Sequence, residues 1–129
     1  MPEPGKEDAQ LLVQLARLAA DMNLAEASGF MWSEQFVEDF DEFKQKFPFG
    51  SEGAKHLGSI AGFYETVATL VKNGLISEQL IHDWLGSDLV WNRIDKILLG
   101  QREESGEPRL WENFEALATA RATKAAAVG

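Results

Sequence analysis

Apolar residues recur at helical spacing along most of the chain. Between residues 8 and 21, apolar side chains return every three or four positions, which is the period of an amphipathic helix. Asn23 predicts the start of a second short helix over 24–31, although one continuous helix fits the pattern as well. Ser33 predicts the start of the next helix, whose inner face is a stripe of Phe36, Phe40, Phe43 and Phe47.

The segment 54–73 is apolar around most of its circumference, which predicts a buried, central helix. Gly58 and Gly62 lie four residues apart inside it. Because a glycine costs about 1 kcal/mol relative to alanine in a helix interior, this pair predicts the close approach of a neighbouring helix.

Turn signals divide the rest of the chain into three further helices. Asn73 and Gly74 predict a left-handed cap at the end of the central helix, and Ser77 predicts the start of a short helix directly afterwards. Proline is favoured in the first turn of a helix, so Pro108 marks the start of the last one. The three helices are predicted from 78 to 85, from 87 or 88 to about 104, and from 108 onward.

The fold class that follows is all-α, a compact bundle of five or six helices around the central helix at about 54–73. With 129 residues, 45% of them hydrophobic, residues 1–129 suit a single domain with a substantial core. Residues 1–7 and 120–129 are expected to be disordered or frayed, since the alanine-rich end lacks large apolar anchors.

The charge of the chain disfavours several classes of partner. The net charge is -9, and residues 1–53 contain 11 acidic and four basic residues. Because nucleic acids and anionic membranes attract basic proteins, we expect neither as a partner. The absence of cysteine excludes disulfides, thiolate metal sites and a cysteine nucleophile. No apolar run reaches the roughly 20 residues that span a bilayer, and no secretory signal is evident, so we expect a bacterial cytoplasmic protein.

Several motifs lie between Ile60 and Ala118. They are Phe63-Tyr64-Glu65, the turn from Lys72 to Ile76, Asp83-Trp84-Leu85-Gly86, and the run from Pro108 to Glu115. In these motifs the segment resembles a bacterial family called domain of unknown function 4760. The resemblance implies an all-helical fold and no assigned activity. Relatives often carry preceding apolar segments that suggest membrane attachment, whereas none is found here, so we expect a free module.

Acidic residues near the phenylalanine stripe form the first candidate site. On the helix predicted from Ser33, the carboxylates share one flank, where they would suit a divalent cation. A di-iron bundle would need Glu-x-x-His pairs on two helices, and the chain has none. A solvated acidic face is the favoured interpretation. The carboxylates are Glu34, Glu38, Asp41 and Glu42.

His56 and His82 are the only histidines, so a three-histidine metal site is excluded. His82 follows Glu78 by four residues, a spacing that a helix-surface pair explains as well as a metal site does. Motifs for nucleophilic catalysis and phosphate binding are absent. We therefore expect no cofactor, no metal and no catalytic residue. The weak metal candidates are Glu34, Glu38, Glu42, Glu78 and His82.

The large aromatic residues fall into two groups. One group lies on inward helix faces and is expected to meet in the core: Trp84, Trp91, Trp111 and Phe114. The other lies at helix ends or in loops, where periodicity does not require burial, and together with two acids forms the candidate partner-binding surface. Its members are Phe30, Met31, Trp32, Phe49, Glu38 and Glu42.

Charged residues that accompany the aromatics suggest ion pairs that fix the register of the helices. The alternative is that they are separate surface charges. They are Glu65, Arg102, Arg109 and Glu115.

By elimination, the sequence predicts an uncharacterised helical module that acts through an unknown protein partner or through self-association. A metal-binding protein or enzyme that uses carboxylates and a histidine is the second hypothesis, and we favour a non-enzymatic role over it. A third is an acidic mimic of nucleic acid that occupies a basic groove.

Overall fold

The computed structural model describes residues 3–128 and confirms the all-α fold class. Within this range there are seven helices and no strand. There is one helix more than the five or six expected, because residues 8–31 form two helices. The helices are α1 (Lys6–Asp21), α2 (Leu24–Met31), α3 (Phe40–Lys46), α4 (Glu52–Lys72), α5 (Glu78–Trp84), α6 (Ser87–Ser105) and α7 (Glu112–Val128).

The backbone at Asn23 separates α1 from α2. Asn23 has φ = 58°, in the left-handed region that asparagine tolerates better than most residues. It occupies the position before α2, as predicted, but its amide donates to the side chain of Glu26 and does not cap the helix. The left-handed residue therefore turns the chain, and α1 packs back against α2.

Helix α4 is the centre of the bundle. It begins after Ser51, whose Oγ accepts a hydrogen bond from the Ala54 N–H at 3.3 Å. Large apolar side chains along α4 are buried, and the helix packs against both α2 and α7, while α7 in turn packs against α6. The buried members include Leu57, Ile60, Phe63, Tyr64 and Val67.

The end of α4 forms the predicted left-handed cap. Gly74 has φ = 70°, and its N–H donates to the Val71 carbonyl at 3.0 Å. The N–H of Leu75 donates to the Leu70 carbonyl at 2.9 Å, which completes a Schellman motif. This local motif sets the sharp turn into α5.

A carboxylate from α1 ties the first helix to the start of α5. Asp8 accepts hydrogen bonds from the N–H of Ser77 at 2.7 Å and from the N–H of Gly5 at 2.8 Å. The bond from Gly5, followed by that from Ser77, lowers the pKa of Asp8. Ser77 itself caps α5, as predicted, by accepting the Leu80 N–H at 3.2 Å.

The close approach predicted at Gly58 and Gly62 is wrong. A Cβ built at either glycine meets no heavy atom within 4 Å, because this face of α4 has no neighbour there. Close contacts occur at two other glycines, where aromatic rings fill the space. A Cβ at Gly53 would lie 2.9 Å from Phe30 and closer to Phe47, and one at Gly100 would overlap the ring of Phe40.

The helix predicted from Ser33 is also wrong, since α3 begins only at Phe40. The hydroxyl of Ser33 donates to the Phe30 carbonyl at 2.7 Å, which closes the last turn of α2. Asp39 caps α3 in its place by accepting the Glu42 N–H at 3.0 Å. The segment between the two helices is therefore non-helical, although Phe36 within it is buried.

Helix α7 starts later than Pro108. Residues 108–111 form a turn, and the helix begins at Glu112, after Trp111 with φ = 64°. At the ends of the described range, residues 6–7 and 120–128 are helical, and the side chains of 122–127 are exposed. Fraying there stays a prediction, and residues 1, 2 and 129 lie outside the described range.

The glycine environments predict opposite effects of the same substitution. Gly58→Ala should raise the free energy of unfolding by about 0.5–1 kcal/mol, because the site is exposed, helical and open. Gly53→Ala should lower it by about 1–3 kcal/mol, because the Phe30 and Phe47 rings would have to move. Urea unfolding of both variants measures the difference, and equal effects would contradict the assigned packing.

Asp8 predicts a dependence of stability on pH. Its lowered pKa means that its contribution is fully present above its ordinary pKa of 3.8 and is lost as the pH falls through the lower folded value. Urea unfolding of wild type and Asp8→Asn should differ most near neutral pH, and the difference should narrow below about pH 4. Glu7→Gln, at an exposed neighbour, is the control. If the difference in unfolding free energy between wild type and Asp8→Asn grew as the pH fell, the stabilising role assigned to the Asp8 carboxylate would be refuted.

Candidate functional site

The acidic residues do not form the predicted row. Glu34 lies in the turn after α2 and Glu38 in the irregular segment that follows, so only Asp41 and Glu42 lie on α3. The prediction of four carboxylates on one helix flank is wrong, because the helix is capped by Asp39 and begins at Phe40, not after Ser33.

The candidate metal ligands do not converge on one site. Within residues 3–128, no group of three or more histidine and carboxylate side chains is arranged to hold a metal ion. Glu38 pairs with Arg93, with Oε2 and Nη1 2.8 Å apart. Glu78 pairs with His82, with Oε2 and Nε2 3.2 Å apart, as expected for residues four apart on a helix. His56 lies elsewhere, with its ring 5.6 Å from that of Phe30.

The region around His82 is a buried contact between α5, α6 and α7. The His82 side chain is buried, and its backbone carbonyl accepts from the Nε of Arg121 at 3.3 Å. The Nη1 of Arg121 donates to Asp88 at 2.5 Å. Burial raises the pKa of Tyr64, and the charge of Arg121 offsets part of this shift. These groups link α5, α6 and α7 to the core.

Only part of the predicted aromatic surface is exposed. Trp32 is 56% exposed and Phe49 is fully exposed, at 104% of the reference area. Met31 is buried, and Phe30 is half-buried with its ring 4.9 Å from that of Phe47 in an edge-on arrangement. The prediction that Met31 is a surface residue is therefore wrong, and Phe30 is only partly exposed because its ring packs against Phe36 and Phe47.

Arg93 fixes the segment that follows α2. Its Nε donates to the Met31 carbonyl at 2.9 Å, and its guanidinium group lies 4.8 Å from the Phe36 ring and 5.6 Å from the Trp32 ring. Together with the ion pair to Glu38, these contacts hold residues 32–39 against α6. Glu38 is therefore engaged within the chain, whereas Glu42 remains exposed.

The core aromatics meet largely as expected. Phe114 stacks on Tyr64 at 4.9 Å between ring centroids and contacts Trp91 edge-on at 5.0 Å. Trp84 lies edge-on to Phe63, at 6.2 Å. Trp111 is half-buried and packs against the core, and its indole N–H donates to the side chain of Gln101 at 2.9 Å.

One of the predicted ion pairs, Arg102 with Glu115, is found at the start of α7. Arg102 and Glu115 are 3.0 Å apart, and Arg102 also donates through Nε to the Leu110 carbonyl at 2.9 Å. Glu65, on α4, accepts the Phe114 N–H at 3.0 Å and so supplies an acceptor to the first turn of α7. Arg109 pairs with Glu112 at 2.7 Å, and not with a residue of another helix.

A groove between α3, α4 and α6 is the strongest candidate for binding. Its volume is about 450 Å³, within the range of ligand pockets, and its walls are mainly apolar and aromatic. Pro48 and Phe49 lie at one edge, in the loop between α3 and α4. The apolar lining is formed by Phe40, Phe43, Phe47, Ala54, Leu57 and Ile97.

One ion pair lies on the polar side of the groove. The Nζ of Lys44 is 2.5 Å from Glu104 and 4.5 Å from the centroid of the Phe40 ring. The hydrogen bond to Glu104 raises the pKa of Lys44, and Asp41 adds a smaller contribution. Sequence reasoning missed this pair, because the two residues are 60 positions apart and no local motif connects them.

Other depressions are less suited to a ligand. A depression of about 630 Å³ follows α1, but only α1 lines it, so it has no opposite wall. One of about 350 Å³ lies between α4, α5 and α7, and its rim contains the Lys72–Glu112 pair. The groove beside Phe49 differs from both because several aromatic rings and an exposed aromatic residue converge there.

The hydrogen bond between Glu65 and the first turn of α7 should contribute to stability. Glu65→Ala removes the acceptor for the Phe114 N–H and should lower the free energy of unfolding by about 1–2 kcal/mol. Glu103→Ala changes an exposed carboxylate on α6 and should remain within about 0.5 kcal/mol of wild type. Urea unfolding compares the two, and equal losses would argue against a cap supplied by α4.

None of the helices in the described part of the chain is long and apolar enough to cross a membrane. Residues 6–121 match the model of the family described as Domain of unknown function (DUF4760). Neither the curated proteins nor the solved structures contain a match. The family match runs from the start of α1 into α7, well beyond the motifs that suggested it. The chain therefore belongs to the DUF4760 family.

Proposed function

We propose that this protein is a protein-interaction module that binds an apolar segment of a partner in the groove between α3, α4 and α6. The observation that carries the proposal is Phe49, which is fully exposed at the edge of a groove lined by other phenylalanine rings. A single exposed apolar residue is common on protein surfaces, but one that continues an aromatic groove is typical of a contact site.

The energy of such a contact resides mainly in Phe49. Burying a phenylalanine side chain is worth about 1.5–3 kcal/mol, and aromatic residues are enriched among those that dominate binding interfaces. In the free protein Phe49 contributes none of this energy to the fold, because it is fully exposed. A partner that covers it therefore gains the whole of that contribution.

The walls of the groove are held in place by their own packing. Phe47 is packed against Gly53, and Phe40 is packed against Gly100 and lies beneath the ammonium group of Lys44. Because these rings are already fixed, binding orders few side chains, and the associated entropic cost is small. A preformed groove supports binding of a segment better than a mobile surface would.

We further propose that the protein acts in the bacterial cytoplasm without a cofactor. The cysteine-free composition favours a reducing compartment. The candidate metal residues support an enzymatic role less well than a binding role, since Glu38 and Glu78 are each engaged in an internal ion pair.

The proposal predicts that peptides selected on this protein depend on Phe49. Random peptides would be selected on wild type, with Phe49→Ala used for counter-selection. The selected peptides should bind Phe49→Ala about tenfold more weakly, equivalent to about 1.4 kcal/mol. Their binding should shift the backbone NMR signals of groove residues, Leu57 and Gln101 among them.

Leu75→Ala is the matched control, since Leu75 is another exposed apolar residue, in the turn before α5. It should leave peptide binding unchanged, and both variants should unfold at the same urea concentration as wild type. If the selected peptides shift signals outside the groove, or if both substitutions weaken them equally, the proposed site is wrong.

A further inference from the structure

We infer that the segment bound in this groove is a basic amphipathic helix, with large apolar side chains on one face and lysine or arginine beside them. The inference rests on the proposed function and adds the chemistry of the partner. It comes from the charges that border the groove.

The groove lining contains one cation and one carboxylate, and the exposed carboxylate of Asp41 on α3 adds a further negative charge beside them. Lys44 is the one cationic residue among the groove-lining residues in the described chain, and it is bound to Glu104. Asp41 precedes Lys44 by three residues on α3, so a second carboxylate lies on the same side of the helix as this ammonium group. A carboxylate on a partner would therefore meet no free cation here, whereas a lysine or arginine would meet unneutralised acid.

The segment of the chain around the groove is also negatively charged. Residues 33–53 contain six acidic residues and two lysines. The second lysine, Lys46, donates to the Gln35 carbonyl at 2.7 Å and lies 5.5 Å from the Phe47 ring, so it too is held within the chain. Asp41 and Glu42 are exposed on α3 and are available to a cationic partner.

A second copy of the chain fits the groove less well. Two copies would bring together surfaces of like charge on molecules that each have a net charge of -9, which disfavours association at low ionic strength. Acidic partners meet the same repulsion. A cationic segment is instead attracted at long range and gains apolar contacts once it reaches the groove.

The shape of the site suits a helix. The groove runs between helices and is closed at one edge by the loop that contains Phe49. Amphipathic helices bind such grooves through apolar side chains spaced three or four residues apart. Phe49 and the Phe40 ring would contact these anchors, while Asp41 and Glu104 would face the basic residues beside them.

Two synthetic peptides test the inference. Both contain about 14 residues with leucine at helical spacing, and the remaining positions are lysine in one peptide and glutamate in the other. Each is titrated into ¹⁵N-labelled protein at low salt. We expect the leucine–lysine peptide to shift groove signals and to bind at least about tenfold more tightly than the leucine–glutamate peptide.

Charge variants separate the groove from the overall charge of the protein. Asp41→Asn and Glu104→Gln should each weaken the leucine–lysine peptide about two- to fivefold, as expected for surface ion pairs. Glu104→Gln also frees Lys44 and should strengthen the leucine–glutamate peptide. Glu7→Gln is the control, because it makes the same change in net charge on α1, near the opposite end of α4. It should alter the affinity for neither peptide by more than the measurement error.

The outcomes are distinct. If the leucine–glutamate peptide binds the groove as tightly as its basic counterpart, the inferred chemistry is wrong and the proposed interaction site stands. If neither peptide shifts groove signals, or if the shifts fall on α1, both proposals fail. A concentration-dependent dimer that loses its contact on Phe49→Ala would overturn the inference in favour of a second copy of the chain.

Discussion

Three arginine side chains bind backbone carbonyls in the last turns of α2 and α5 and in the turn before α7, and so tie these helices to their neighbours. In three cases the Nε of an arginine donates to a carbonyl and a terminal nitrogen pairs with a carboxylate. Carbonyls near helix ends lack an intrahelical partner, and leaving one buried and unbonded costs about 1–3 kcal/mol. The three sets are Arg93 with Met31 and Glu38, Arg102 with Leu110 and Glu115, and Arg121 with His82 and Asp88.

The contact made by Arg93 determines the shape of the groove. By holding residues 32–39 against α6, it keeps Phe36 in the core and sets the point at which α3 can begin. Helix α3 then presents its phenylalanines towards α4 and α6. A surface that we assign to partner binding therefore depends on a guanidinium group that the partner would not need to touch.

Local signals allowed the helices to be predicted where neighbouring residues decide the structure. The cap at Gly74 and the start of α5 at Ser77 follow from hydrogen bonds within a few residues. Ser33 and Asp39 are both good capping residues, and the choice between them depends on Arg93, about 60 positions away. The exposure of Phe49 was predictable from its loop, whereas the Lys44–Glu104 pair was not, because only the folded chain brings the two residues together.

The positions of the cationic side chains leave carboxylates exposed beside the groove. Seven of the twelve lysine and arginine side chains form ion pairs within the described residues, and three of them also hold the ends of helices. Lys44 and Lys46, the lysines of α3, are held by Glu104 and by the Gln35 carbonyl, whereas Asp41 and Glu42 on the same helix remain exposed. The interactions that fix α3 in the bundle thus also place exposed acid beside an apolar groove, and for this reason we expect a contact there to be selective for the sign of the partner's charge as well as for its shape.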